Sequence, residues 1–174
     1  EAFEGDCVTM VPGAVADPIP QVHIEAVAAY NTTEGHTGFH PKEREDCGYI
    51  LTIAGLRIYI AGDTEDTPEV LALHDIDAAF LPVNQPYTMT VDQAVRAVKA
   101  IRPHIFYPYH YGEVDEKTNI DRLKRELEGV TDVYSPWSST PPNETSEPTG
   151  KYPSARFILH CRLYHACDLS SRWS

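Results

Sequence analysis

Gly55-Leu56-Arg57-Ile58-Tyr59-Ile60-Ala61-Gly62-Asp63, followed by Thr64, reads as a strand that runs straight into a carboxylate. Leu56, Ile58 and Ile60 alternate with Arg57 and Tyr59, and a two-residue period rich in β-branched and aromatic side chains favours a strand. Gly62 has no Cβ, so the backbone can turn sharply there. Asp63 is left at the carboxyl end of the strand, where α/β sheets gather ligands and catalysts. The plainer alternative is an Asx-turn opened by Asp63. A second strand end downstream, Pro108-Tyr109-His110-Tyr111-Gly112, adds a histidine to the question.

Composition narrows the field. The 174 residues suffice for one domain with a core, and 42% apolar with 23% charged residues is ordinary for a globular protein. A net charge of −12 with no basic run argues against a nucleic-acid backbone or an anionic membrane as partner. No window approaches the roughly 18 consecutive apolar residues of a membrane span. Glu1 to Asp6 has neither a basic start nor an apolar run, so no signal peptide is expected there, and a cytoplasmic setting is. Cys7, Cys47, Cys161 and Cys167 form neither a C-x-x-C pair nor zinc-finger spacing, and reduced thiols are expected.

Around the central strand the chain falls into segments. Residues 1–20, punctuated by Pro12, Gly13, Pro18 and Pro20, are expected to be irregular. Gln21 to Ala29, with Val22, Ile24, Ala26 and Ala28 in alternation, reads as a strand. Tyr30 to Asp46 is polar and has no period, a long loop of the kind that often carries function. Gly48–Ile53 and Leu56–Ala61 form a hairpin around Ala54-Gly55. Thr67-Pro68-Glu69 starts a short helix expected to end near His74. Asp77–Pro82 is a buried strand. Thr90 caps a better helix with Gln93 in capping-box position, and Val91, Ala94, Val95, Val98 and Ile101 make one apolar stripe. His104–Pro108 is a strand, Asn119–Glu128 a helix stopped by Gly129, and Thr131–Tyr134 a last short strand. Residues 56–134 thus alternate strand and helix, which implies helices packed on a β layer.

Residues 136–155 are poor in apolar side chains and read as a low-complexity linker, with residues 156–174 an unassigned tail. Asn143-Glu144-Thr145 matches a glycosylation acceptor, and the lack of a secretion signal argues against its use.

Gly48-Tyr49-Ile50-Leu51, Gly55 through Thr64, Ile76-Asp77 through Leu81-Pro82-Val83, Tyr87-Thr88-Met89 and Pro108-Tyr109-His110-Tyr111-Gly112 occur in that order. The ordered set resembles the second half of a metallo-β-lactamase-fold hydrolase, in the branch related to the ascorbate-phosphate lactonases. The resemblance covers residues 21–135. It implies an α/β fold: half of an αββα sandwich, a mixed sheet with helices on one face. It also implies one or two divalent metal ions at the strand ends, zinc first, with manganese or iron as alternatives. By that resemblance Asp63 bridges the metals and His110 ligates the second. A further ligand falls in the loop, where Asn31 holds the strand-end position and His40 is the better ligand chemically, so His40 is favoured.

The chemistry suits these residue types. A carboxylate can bridge two divalent ions, and neutral imidazole suits zinc. Such a metal lowers the pKa of bound water and yields a hydroxide, which the resemblance directs at an ester, lactone, amide or phosphoester. Taken alone, His110 between two tyrosines reads as a structural histidine, and its pairing with Asp63 changes that reading. His36 reads as a solvent-facing loop histidine. His23, His74 and His104 take ordinary surface or capping roles, and His160 and His165 lie outside the resemblance. Val83–Met89 lies past a strand end, either lining a substrate pocket or turning into a helix.

One departure weighs against activity. The His-x-His-x-Asp-His motif of the family's first half is absent from these 174 residues. The sequence therefore reads as the C-terminal half of such a protein, a fragment or truncated product, weak or inactive by itself. Its strands would expose an apolar face, calling for a second copy or a partner beside the small-molecule substrate. Two other readings stand: a binding module that keeps the fold without metals, and an unrelated doubly wound domain. The latter lacks both G-x-G-x-x-G and G-x-x-x-x-G-K-[ST].

Overall fold

Alternating side chains from Val22 onward build one mixed sheet. It is seen in a computed structural model that describes residues 7–111 and 118–134. The expected linker, tail and glycosylation acceptor, and Gly112, lie outside the described residues. The strands are β1 (Val15–Ile19), β2 (Val22–Ala28), β3 (Cys47–Ile53), β4 (Leu56–Ile60), β5 (Ala78–Pro82), β6 (Ile105–Tyr109) and β7 (Asp132–Val133). They neighbour one another in chain order. Pairs from β1 to β4 are antiparallel, and pairs from β4 to β7 are parallel. Parallel neighbours need crossovers, which α1 (Pro68–Leu71), α2 (Val91–Ile101) and α3 (Ile120–Glu126) supply.

The β3–β4 hairpin closes through Ala54 at φ 50° and Gly55 at φ 84°, the double left-handed turn that matches strand twist. Tyr59, Ala79 and Phe106 lie in register and turn the same way. They join Val70, Val95, Val98, Ile101, Leu123 and Leu127 in one core, so the helices cover one face. Ile60, Phe80 and Tyr107, one position further along, occupy the opposite face. Phe80 and Tyr107 stack there with centroids 4.6 Å apart, and Ile60 keeps 40% of its surface exposed.

Two elements differ from expectation. Val15–Ile19 is a strand within the segment expected to be irregular. Its Asp17-Pro18 lies where the register shifts between Ala16 and Ile19, and proline is tolerated at an edge because no neighbour needs its N–H. Helix α1 ends at Leu71, short of His74.

Thr90 accepts a hydrogen bond from Gln93 N, while Thr90 N donates to Gln93 Oε1, so both halves of the capping box form. Thr90→Ala should cost about 1 kcal/mol. Thermal unfolding checks this, and an unchanged midpoint would remove the cap from the account of α2. Among the described residues no helix is long and apolar enough to cross a membrane.

Candidate functional site

Because β2 pairs antiparallel with β3, and β3 with β4, strand β2 runs the same way as β4, β5 and β6. Their carboxyl ends share one sheet edge. The segments leaving that edge carry Asn31, Asp63, Asn84 and His110.

Asp63 gets there through two close backbone passages. Gly62 adopts φ 67°, and Gly48 lies against the end of β4 so tightly that a Cβ would meet Ala61 C at 2.8 Å. The Tyr109 hydroxyl donates to Gly62 O at 2.5 Å and ties the ends of β4 and β6 together. Burial, then the nearby Asp63 charge, pushes the Tyr109 hydroxyl above its ordinary range, so it stays neutral and donates. His110 follows at φ 57°, a left-handed conformation that histidine tolerates better than most residues.

The three site residues expected from the sequence come together. Asp63 Oδ1 lies 3.3 Å from His110 Nδ1, and Asp63 Oδ2 lies 3.9 Å from His40 Nε2. The Asp63 side chain is 40% exposed, so the cluster is open to solvent. His40 has a further neighbour: Arg44 Nη2 donates to its Nδ1 at 3.0 Å. Arg44 is itself held by Asp46, with Nε to Oδ2 at 2.5 Å, and by a longer bond to Phe39 O.

Asn31, the other loop candidate, is buried, and its Nδ2 donates to His36 O at 3.2 Å and Tyr87 O at 2.8 Å. It thereby ties the loop after β2 to the Val83–Met89 segment, where Tyr87 packs edge-on against Phe39. Its Oδ1 is buried and accepts no hydrogen bond from the described residues. The other described histidines lie beside acids: His36 by the buried Glu65 at 3.8 Å, His23 by Asp17 at 2.8 Å, His74 by Asp75 at 2.7 Å and His104 by Asp77 at 3.9 Å, while His160 and His165 lie outside the described residues.

Glu65 carries a role the sequence did not disclose. It is fully buried, and its Oε2 accepts from the N–H and the hydroxyl of both Thr32 and Thr33 at 2.7–2.9 Å. Burial alone would raise its pKa, but those hydrogen bonds outweigh it and hold the carboxyl below its ordinary value. Thr64 adds a second clamp, with its Oγ1 accepting from Tyr30 N at 3.1 Å. The Gly-Asp-Thr-Glu run therefore both presents Asp63 and fastens the loop that carries His36 and His40. Arg44 was likewise missed, since a charged residue in a polar loop carries no signal of its own.

The fit to a metal is partial. Two imidazoles flank one carboxylate, the right donor types for a divalent ion. Among the described residues, however, no group of three or more His, Cys, Asp or Glu side chains can hold a metal ion.

Comparison with known proteins bears on the family and the fold. A family profile described as Beta-lactamase superfamily domain matches residues 6–110. A UPF0173 metal-dependent hydrolase of Symbiobacterium thermophilum is 40% identical over 81 residues, covering 43% of this chain and 36% of that protein. A UPF0173 metal-dependent hydrolase of Thermoplasma acidophilum is 44% identical over 91 residues, covering 50% of this chain and 40% of that protein. The crystal structure of a protein from Parabacteroides distasonis, assigned to the metal-dependent hydrolases, superposes with a TM-score of 0.66 and 54% identity. It covers 72% of this chain and 55% of its own. The chain thus spans about half the length of these relatives, or less. With the profile spanning more than half of it, the chain belongs to the beta-lactamase superfamily, and its sheet matches part of the metallo-β-lactamase fold seen in solved structures.

Proposed function

We propose that this chain is the part of a metal-dependent hydrolase that supplies Asp63 and His110 to a shared metal centre. The observation that supports this is the 3.3 Å approach of His110 Nδ1 to Asp63 Oδ1 at the common carboxyl edge of the sheet. No group of three or more such side chains stands together for a metal among the described residues, so this reading takes further ligands from outside them. A bound divalent ion would supply Lewis acidity and an activated water, which suits hydrolysis of an ester, lactone, amide or phosphoester. Zinc fits the imidazole and carboxylate donors, and manganese or iron are the other candidates. The chain's own contribution is positional. Gly62 and Gly48 let the chain after β4 turn Asp63 onto the sheet edge, the Tyr109 hydroxyl ties that turn to the end of β6, and the Glu65 and Thr64 clamps keep the loop over Asp63.

A second reading, a binding module that keeps the fold without metals, is favoured by the lack of a three-ligand group among the described residues. Metal analysis separates the two. Plasma mass spectrometry on the whole protein that contains this chain, with Asp63→Ala and His110→Ala beside it, should find a divalent metal in the parent and a loss of at least about tenfold in each variant. Metal in none of the three proteins, even after zinc is supplied, favours the binding module. Equal metal in all three would remove Asp63 and His110 from the centre.

A further inference from the structure

The loop histidine nearest Asp63 has its ring chemistry set from behind. Arg44 Nη2 lies 3.0 Å from His40 Nδ1. A guanidinium has donors and no acceptor, so His40 Nδ1 must be the accepting nitrogen of the pair. A neutral imidazole that accepts at Nδ1 carries its proton on Nε2. Nε2 is the atom that faces Asp63 Oδ2, at 3.9 Å. Histidines that ligate metals do the reverse: the ligating nitrogen is bare, and the other donates its N–H to a carboxylate, a carbonyl or water. For His40 to ligate through Nε2, its Nδ1 proton would have to face the Arg44 donor.

Arg44, half exposed, is engaged at all three of its nitrogens. Asp46 takes two of its nitrogens, through Nε at 2.5 Å and through Nη2. Nη1 reaches Phe39 O at 3.4 Å, one residue before His40. The single 3-10 turn at Lys42–Arg44, closed by Glu45 at φ 56°, carries the guanidinium back onto the ring. The His40 side chain is only 16% exposed, so few other groups can claim its nitrogens.

We propose that Arg44 fixes His40 in its Nε2–H tautomer with that N–H turned toward Asp63, so that His40 is a positioning residue for that carboxylate and not a metal ligand. This replaces the role expected for His40 from the sequence. It rests on the reading of Asp63 as a metal-facing carboxylate only for its consequence, since the tautomer stands on the Arg44 contact alone. At 3.9 Å that N–H acts on Oδ2 through its dipole, favouring a carboxylate turned so that Oδ1, beside His110, is left for the metal.

The test is two-bond ¹H–¹⁵N correlation of the imidazoles in ¹⁵N-histidine-labelled protein, at a pH where the ring is neutral. His40 should appear as a single Nε2–H tautomer, and Arg44→Ala should move it to the averaged pattern of an unconstrained ring. Adding zinc chloride should leave the His40 pattern unchanged. A His40→Gln variant, which keeps an N–H donor of similar reach, should hold zinc within about tenfold of the parent. An Nδ1–H pattern in the parent, or a switch to it on adding zinc, overturns the proposal. If Arg44→Ala does not fold, the parent's tautomer with and without zinc decides alone. Failure of zinc to bind at all would count against the hydrolase reading while leaving the tautomer result to stand or fall separately.

Discussion

Gly48→Ala should destabilise the sheet by about 3 kcal/mol, at the upper end of what overpacking costs. The reason lies in the backbone itself. A Cβ on residue 48 would sit 2.8 Å from Ala61 C and 2.9 Å from Ile60 O, closer than real Cβ atoms come. These are main-chain atoms of the end of β4 and the residue after it, so no side-chain rotation relieves the clash. Either β3 parts from β4, or the segment ending in Asp63 shifts. Both routes strike the site, because Ala61 also donates to Phe80 O and so fixes β4 against β5. Thermal unfolding should show a midpoint lower by roughly 10 °C, with less metal retained at equal protein. Gly55→Ala is the control: its Cβ would meet nothing, although φ 84° still imposes a smaller strain cost. A loss below 1 kcal/mol in Gly48→Ala, with metal content intact, would mean that the close passage does not position Asp63.

The sheet was legible because local chemistry and global fold agree along most of it. Ala54-Gly55 could only be a turn, the Thr90–Gln93 box marked the start of α2, and the stripe from Val91 to Ile101 fixed its buried face. Asp63 and His110 stand out for a related reason: each lies just past the end of an apolar strand, where a polar residue has no core to enter. What stayed hidden depends on partners far away in sequence. β1 escaped because Asp17 and Pro18 look like loop residues until an edge position makes them tolerable. Glu65 looked like one more acid after a turn, and only the folded loop brings Thr32 and Thr33 to its oxygen. His40 was picked for ligand chemistry, and the group that sets its tautomer, Arg44, announces itself only by distance. Sequence pattern thus reports which residues reach the site edge. The hydrogen bonds that assign each of them a role arise from the loop's tertiary path.

Glu65→Ala should cost about 3 kcal/mol and loosen the loop from Tyr30 to Asp46. Two backbone donors, Thr32 N and Thr33 N, lose their acceptor, and an unmet buried donor costs roughly 1–3 kcal/mol. Thr32 is itself exposed, so water can relieve part of that loss and the sum falls short of the maximum. Glu65→Gln keeps the shape and one accepting oxygen but loses the charge that strengthens each bond, and should cost about half as much. The pH dependence separates charge from shape. Hydrogen bonds hold the folded carboxyl below its ordinary value of 4.5. The stability it contributes is therefore fully present above that value and is lost as pH falls through the lower, folded one. The parent should lose stability to Glu65→Gln steadily as urea unfolding is repeated from pH 6 down towards pH 3, until the two converge. A constant gap between parent and Glu65→Gln across that range would show that the buried group acts through packing and not through its charge. Faster amide exchange at Thr32 and Thr33 in Glu65→Ala, with α2 unchanged, would place the loss in the loop that carries His36 and His40. An equal rise across α2 would assign Glu65 to the fold as a whole.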